Sequence, residues 1–167
     1  AGGTSEICNC PDLSDVNASV RILEHLGCKV ARTDGCVRVD SGGLCRSDIP
    51  DGLMREMRSS IVFLGAIVAR TGEACMSFPG GCELGPRPID MHLDGLRKLG
   101  VHIEEERGQI QCRVDGRLKG TNITLEFPSV GATENILLAA VLAEGTTILL
   151  NAAREPDNVD LCRYLIA

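Results

Sequence analysis

The chain has 167 residues, a formal net charge of −6, one Tyr, three Phe and no Trp. That length allows one domain with a sizeable core. The acidic balance and scarcity of rings exclude a nucleic-acid surface, which needs a basic stripe and stacking platforms. In chain order, Cys8-Asn9-Cys10 is the nearest approach to a metal motif, because strand alternation would set both thiols on one face. No second Cys or His pair follows at ligand spacing, so the two read as small apolar filler, and neither metal nor cofactor is expected. Val16, Val20, Leu23 and Leu26 form one stripe before Gly27, which predicts an amphipathic helix covering an outer face. Ile61 to Ala69 and Ile136 to Ala143 are apolar on nearly every side and fall short of the ~20 residues a bilayer requires. They predict helices enclosed by protein, with no membrane partner. Arg55 and Arg58 stand near the start of the first of these, each either solvated or aimed into a cleft.

Phe78 to Pro88 reads FPGGCELGPRP, a single thiol, Cys82, in a loop of three glycines and three prolines. Arg87 lies five residues on, where a guanidinium favours a thiolate and can hold an anion. The alternative is a turn that contains Cys. Ile89 to Gly100 predicts a second outer helix, in which Asp90 either caps the helix or accepts hydrogen bonds from a sugar or base. His92 is either exposed or one layer behind a ligand. His25 and His102 flank Leu-Gly turns and read as solvated. Asp115 to Gly120 reads as a hairpin turn with Arg117 and Lys119 on the surface. In Pro128-Ser129-Val130-Gly131, Ser129 is an N-cap for the second enclosed helix and Gly131 permits close approach, a combination suited to phosphate, though an ordinary cap is the simpler account of Ser129. Arg154-Glu155-Pro156 closes the turn into a third outer helix, Val159 to Ile166.

The chain repeats at an offset of 73. Val20, Leu23, Leu26-Gly27 and Val30 match Leu93, Leu96, Leu99-Gly100 and Ile103, while Ser60, Phe63, Ala66 and Gly72 match Thr133, Ile136, Ala139 and Gly145. Gly3-Thr4 and Asn9 correspond to Gly145-Thr146 and Asn151 at 142. The expected organisation is α/β: a single partial domain, 1–167, with repeat copies at about 1–12 (partial), 13–84, 85–155 and 156–167 (partial). Buried helices would be walled by small sheets about a pseudo-threefold axis, with their N-termini at one end. An excerpt of a larger chain is expected, lacking one buried helix. Nine cysteines without a CxxC pair suit a reducing compartment, and no basic, apolar leader opens the sequence.

MRSSIVFLGAIVAR (57–70), PGGCELGPRPIDMHLDGLRKLG (79–100), VDGRLKG (114–120), SVGATENILLAAVLAEGTT (129–147) and NAAREPDNVD (151–160) together resemble the UDP-N-acetylglucosamine 1-carboxyvinyltransferase family, cytoplasmic enolpyruvyl transferases of bacterial peptidoglycan synthesis. The resemblance implies an inside-out α/β barrel of two domains, of which this chain is most of the cysteine-bearing one. It implies transfer of the enolpyruvyl group of phosphoenolpyruvate to the 3-hydroxyl of UDP-N-acetylglucosamine, with release of phosphate. Cys82 would be the general acid, able to form a covalent adduct with phosphoenolpyruvate and open to alkylation by fosfomycin. Arg87 would hold the anionic substrate. Arg58, Pro88, Ile89, Asp90 and Met91 would line the uridine nucleotide site, and Phe127, Pro128, Ser129, Val130 and Gly131 would meet the diphosphate. Some relatives carry Lys at Phe127 and an aromatic residue at Val62. The family's Lys-Asn pair, catalytic Asp and further Arg residues are not in this sequence, so the chain alone is expected to be inactive. Self-association through exposed core is expected, and a non-catalytic nucleotide-sugar-binding or interaction module completed by another chain is the alternative.

Overall fold

A computed structural model describes residues 3–79 and 89–166. Chain order is β1 (Thr4–Ile7), α1 (Ser14–His25), β2 (Lys29–Thr33), β3 (Cys36–Asp40), β4 (Asp48–Ile49) and α2 (Asp51–Glu56). A 3-10 turn, Ser60–Val62, leads into α3 (Phe63–Thr71), then β5 (Glu73–Ser77), α4 (Asp90–Lys98), β6 (Val101–Glu106) and β7 (Gln109–Val114). β8 (Asn122–Thr124), α5 (Val130–Ala140), β9 (Ile148–Leu150) and α6 (Pro156–Ile166) complete it. Among the described residues no helix is long and apolar enough to cross a membrane.

Among the described residues the strands form three small sheets. β3 lies between β1 and β2, all antiparallel; β4, β5, β7 and β6 form the second sheet in that order, with β4 parallel to β5; and β8 pairs with β9 in parallel. Helix α4 has an apolar stripe, but α1 buries a face other than the expected one: of Val16, Val20, Leu23 and Leu26 only Leu26 is buried, and Ala18 and Ile22 are turned inward instead. Each helix turns one apolar face inward, which on α4 holds Leu93 and Leu96. Both end where a Leu-Gly pair turns the chain, and Gly27 and Gly100 have φ of 98° and 97°. Helices α3 and α5 bury Leu64, Ile67 and Val68 and Ala132, Ile136 and Ala139, and pack against one another. Their approach is close because small residues stand at the crossing points. A Cβ on Gly65 would overlap the Asn135 carbonyl oxygen, and one on Gly95 of α4 would overlap the Ile136 side chain.

Left-handed residues recur 73 apart: Asp34-Gly35 and Arg107-Gly108 turn the β2–β3 and β6–β7 hairpins, and Gly72 and Gly145 end or follow α3 and α5. Asn9 and Asn151, 142 apart, both have φ of 57°. The turn at Asp115-Gly116 differs from expectation. It does not return the chain on β7; β8 belongs to another sheet, and Lys119 instead makes a parallel bridge to Glu144. Arg117 and Lys119 are on the surface as expected, Arg117 3.3 Å from Glu144. Leu118 explains the difference: it is buried at 3%, so the segment is drawn inward as a connection between sheets.

The Cys8-Asn9-Cys10 reading also needs correction. β1 ends at Ile7 and Asn9 is left-handed, so strand alternation does not extend through the pair. Cys8 is exposed and Cys10 half-buried, which removes Cys8 from the role of apolar filler. The third outer helix starts at Pro156, three residues before the expected Val159, because Pro fits the first helical position.

Candidate active site

Among the described candidates, Arg58, Ile89 to Met91 and Phe127 to Gly131 stand at or just before the starts of the 3-10 turn into α3, of α4 and of α5. Ser129 caps α5: its backbone is extended and its Oγ accepts a hydrogen bond from the Ala132 amide at 3.4 Å. Its carbonyl accepts from Thr133, and the Thr133 hydroxyl in turn accepts from the Ala153 amide at 3.0 Å, tying the helix start to the segment before α6. Among the described residues, the Val130 and Gly131 amides meet no acceptor, so two donors at the positive end of an apolar helix remain open to an anion. An open pocket begins at Pro128 and is lined by Asn151, Ala152, Arg154 and Glu155.

Asn135, one and a half turns into α5, joins this start to the other two. Its Oδ1 accepts the Gly65 amide of α3 at 2.6 Å, and its Nδ2 donates to the Ile61 carbonyl in the turn before α3 and to His92 Nδ1 of α4, each at 3.1 Å. The Gly65 donor fixes which end of the amide is oxygen, and the Nδ2 donor makes His92 Nδ1 an acceptor. The ring proton of neutral His92 is therefore on Nε2, on the ring edge that lies against Gly131. A Cβ on Gly131 would stand 3.2 Å from His92 Cε1 and 3.5 Å from Nε2. His92 is 8% exposed, and burial lowers its pKa from 6.5 to about 4. It is a neutral donor at physiological pH.

Ile89 is buried at 5% and precedes α4, while Asp90 is its exposed first residue and Met91 is half-buried against the core. Asp90 does not cap α4, because the N-cap position falls to Ile89 and no side chain supplies the bond. Arg55 is paired with Asp51 at 2.8 Å. Arg58 is exposed, two residues before the 3-10 turn. Phe127 is 54% exposed and Pro128 is exposed. Cys82, Arg87 and Pro88 lie outside the described residues. His25 departs from its solvated reading: its ring is 18% exposed and its Nε2 is 3.1 Å from Asp48, whereas His102 remains 70% exposed. A groove over the second sheet, lined by Ser47, Glu73, Cys75, His102 and Arg113 among others, shares no residue with these helix starts. Sequence reasoning missed Asn135 altogether, since a lone Asn in an apolar helix gives no sign of its partners.

Over 99% of its length the chain superposes on the enolpyruvyl transferase NikO from Streptomyces tendae with a TM-score of 0.86 at 24% identity, covering 39% of that chain. An EPSP synthase from Acinetobacter baumannii gives 0.72 at 21% identity, over 96% of this chain and 37% of the other. Those likenesses concern the fold. Residues 1–167 match the family profile of EPSP synthase (3-phosphoshikimate 1-carboxyvinyltransferase), and the chain belongs to that family.

Within it, the chain is 55% identical over 163 residues to UDP-N-acetylglucosamine 1-carboxyvinyltransferase 2 of Caldanaerobacter subterraneus subsp. tengcongensis, covering 98% of this chain and 39% of the relative. It is 50% identical over 162 residues to UDP-N-acetylglucosamine 1-carboxyvinyltransferase of Shewanella woodyi, covering 96% and 39%. The chain thus spans about two fifths of the length of the curated relatives it matches.

Proposed function

We propose that this chain is the cysteine-bearing part of a cytoplasmic enolpyruvyl transferase acting on phosphoenolpyruvate and UDP-N-acetylglucosamine in peptidoglycan precursor synthesis. The observation that carries the reading is the 55% identity, over nearly all of this chain, to a relative bearing that activity in its name. Cys82 donates a proton to the methylene carbon of phosphoenolpyruvate, and the sugar 3-hydroxyl, losing its own proton, adds to the adjacent carbon. The tetrahedral product then expels phosphate and loses a proton from the new methyl group, which restores the double bond. Arg87 holds the anionic substrate. Arg58, Pro88, Ile89, Asp90 and Met91 line the nucleotide, and the Phe127–Gly131 segment meets the diphosphate. The open Val130 and Gly131 amides and the proton on His92 Nε2 support that last assignment, since all are donors at one helix start. The full domain in this reading is an inside-out barrel with a pseudo-threefold arrangement. The hairpins and left-handed residues recurring 73 apart support it.

The test is a chimera that completes this chain with the remaining length of the Caldanaerobacter relative, assayed for phosphate release. Turnover with UDP-N-acetylglucosamine, abolished by Cys82→Ala, is expected, with none from the chain alone. A folded chimera that uses 3-phosphoshikimate instead, or is indifferent to Cys82→Ala, refutes the assignment. Rapid stoichiometric alkylation of Cys82 by fosfomycin in the isolated chain would contradict the need for further segments. A second reading, a nucleotide-sugar-binding module completed by another chain, is favoured by Val141, Ile148 and Leu150, which are 49%, 48% and 52% exposed. Sedimentation of the chain as a clean monomer would count against it.

A further inference from the structure

Cys8 and Cys36 are unused by the chemistry above, yet their sulfurs are 2.7 Å apart, inside ordinary sulfur contact. The β1–β3 register runs from Thr4 opposite Asp40 to Ile7 opposite Val37, so the next step sets Cys8 opposite Cys36. Opposed antiparallel residues have Cα atoms about 4.5–5.5 Å apart, within the span a disulfide bridges. The chain holds the pair at both ends. Beyond Cys8, left-handed Asn9 redirects the backbone and the Cys10 amide donates to the Gly35 carbonyl at 2.7 Å; before Cys36, the Asp34-Gly35 turn closes the β2–β3 hairpin. Cys8 is exposed and Cys36 half-buried, so small oxidants reach them.

Glu6 lies near both thiols, its carboxylate and the two sulfurs all within 4.8 Å of one another. A soft cation is the competing occupant. Two thiolates on a tetrahedral zinc, each about 2.3 Å from it, stand about 3.8 Å apart, much wider than this pair. The geometry favours a sulfur–sulfur bond.

We propose that Cys8 and Cys36 are a redox-active dithiol that closes to a cross-strand disulfide by exchange with a low-molecular-weight disulfide such as oxidised glutathione. One thiolate of the pair attacks the glutathione disulfide and expels one glutathione thiolate. The other attacks the modified cysteine sulfur and expels the second. The two protons of the cysteine thiols end on the two glutathiones, so one disulfide is reduced as one is formed. The bond joins the edge strand β1 covalently to the centre of its sheet.

The experiment incubates the reduced chain with oxidised glutathione, caps the remaining thiols by alkylation and maps tryptic peptides without reduction. Expected is a cross-link between peptides 1–21 and 33–38 that fragmentation assigns to Cys8 and Cys36, with neither residue retaining glutathione. Cys10→Ala leaves that link intact, whereas Cys36→Ser leaves Cys8 carrying glutathione. A link from Cys8 to Cys10, stable glutathione on both Cys8 and Cys36, or neither residue oxidised would each overturn the proposal. So would equimolar zinc that binds the reduced chain and protects both thiols.

Discussion

Acid should destabilise this chain through His92, and the size of the effect follows from its surroundings. In the folded chain burial of the ring lowers its pKa to about 4; in the unfolded chain it returns to 6.5. Because the folded value is the lower one, the unfolded state takes up the proton first. His92 therefore costs nothing above about pH 7, and stability falls as pH drops from 6.5 towards 4. At 1.36 kcal/mol per pH unit the full loss is about 3 kcal/mol, of which about 2 kcal/mol has accrued by pH 4.5. Urea unfolding of the parent chain and of His92→Gln at pH 7 and pH 4.5 measures it, since Gln offers the Asn135 amide an acceptor without a titratable proton. Other acid effects cancel in the comparison, including that of Asp48, whose carboxyl is held below its usual range by Arg46. The parent should lose about 2 kcal/mol more than the variant between the two pH values. Equal losses would refute the buried, neutral assignment, as would a His92 ring resonance that titrates near 6.5.

Three further outcomes test the packing around the same helix starts. Gly65→Ala should destabilise by about 2 kcal/mol despite the better helix propensity of Ala, because the new methyl meets Asn135 where α3 and α5 cross; a raised melting temperature would contradict this. Ser129→Ala removes the acceptor for the Ala132 amide and should cost about 1 kcal/mol in urea unfolding, whereas an unchanged midpoint would show the cap to be idle. Leu96→Ala, at a fully buried position on α4, should cost about 2–5 kcal/mol by the same measurement, and a loss under 1 kcal/mol would place Leu96 outside the core.

Much of the architecture was legible in local patterns. The helices ending at Gly27 and Gly100, the nearly all-apolar α3 and α5, the Ser129 cap and the offset of 73 each depend on local pattern, where periodicity and capping chemistry operate, although the buried face of α1 is Ala18 and Ile22 rather than Val16 and Val20. The failures share a cause. Asp115-Gly116 carries a strong hairpin signal, but burial of Leu118 sends the chain to another sheet, while the hairpin at Arg107-Gly108 lacks an Asn or Asp to announce it. His25 looked solvated until Asp48, 23 residues away, came within 3.1 Å of it.

Sequence alone determined the two outer and two enclosed helices before residue 145, the Ser129 cap, the internal repetition and the resemblance that pointed to Cys82, because these are written in order along the chain; the short helix α2 and the absence of a side-chain cap on α4 were not. Tertiary structure decided which side chains meet. Cys8 pairs with Cys36 across 28 residues, Asn135 with His92 across 43 and with Gly65 across 70. Those meetings arise from strand register and helix packing, where burial of apolar faces dictates proximity and polar groups must be satisfied by whatever the packing brings near. The same packing turned His92 from an undistinguished helical residue into a neutral donor beside Gly131, and separated Cys8 from the neighbour its spacing suggested.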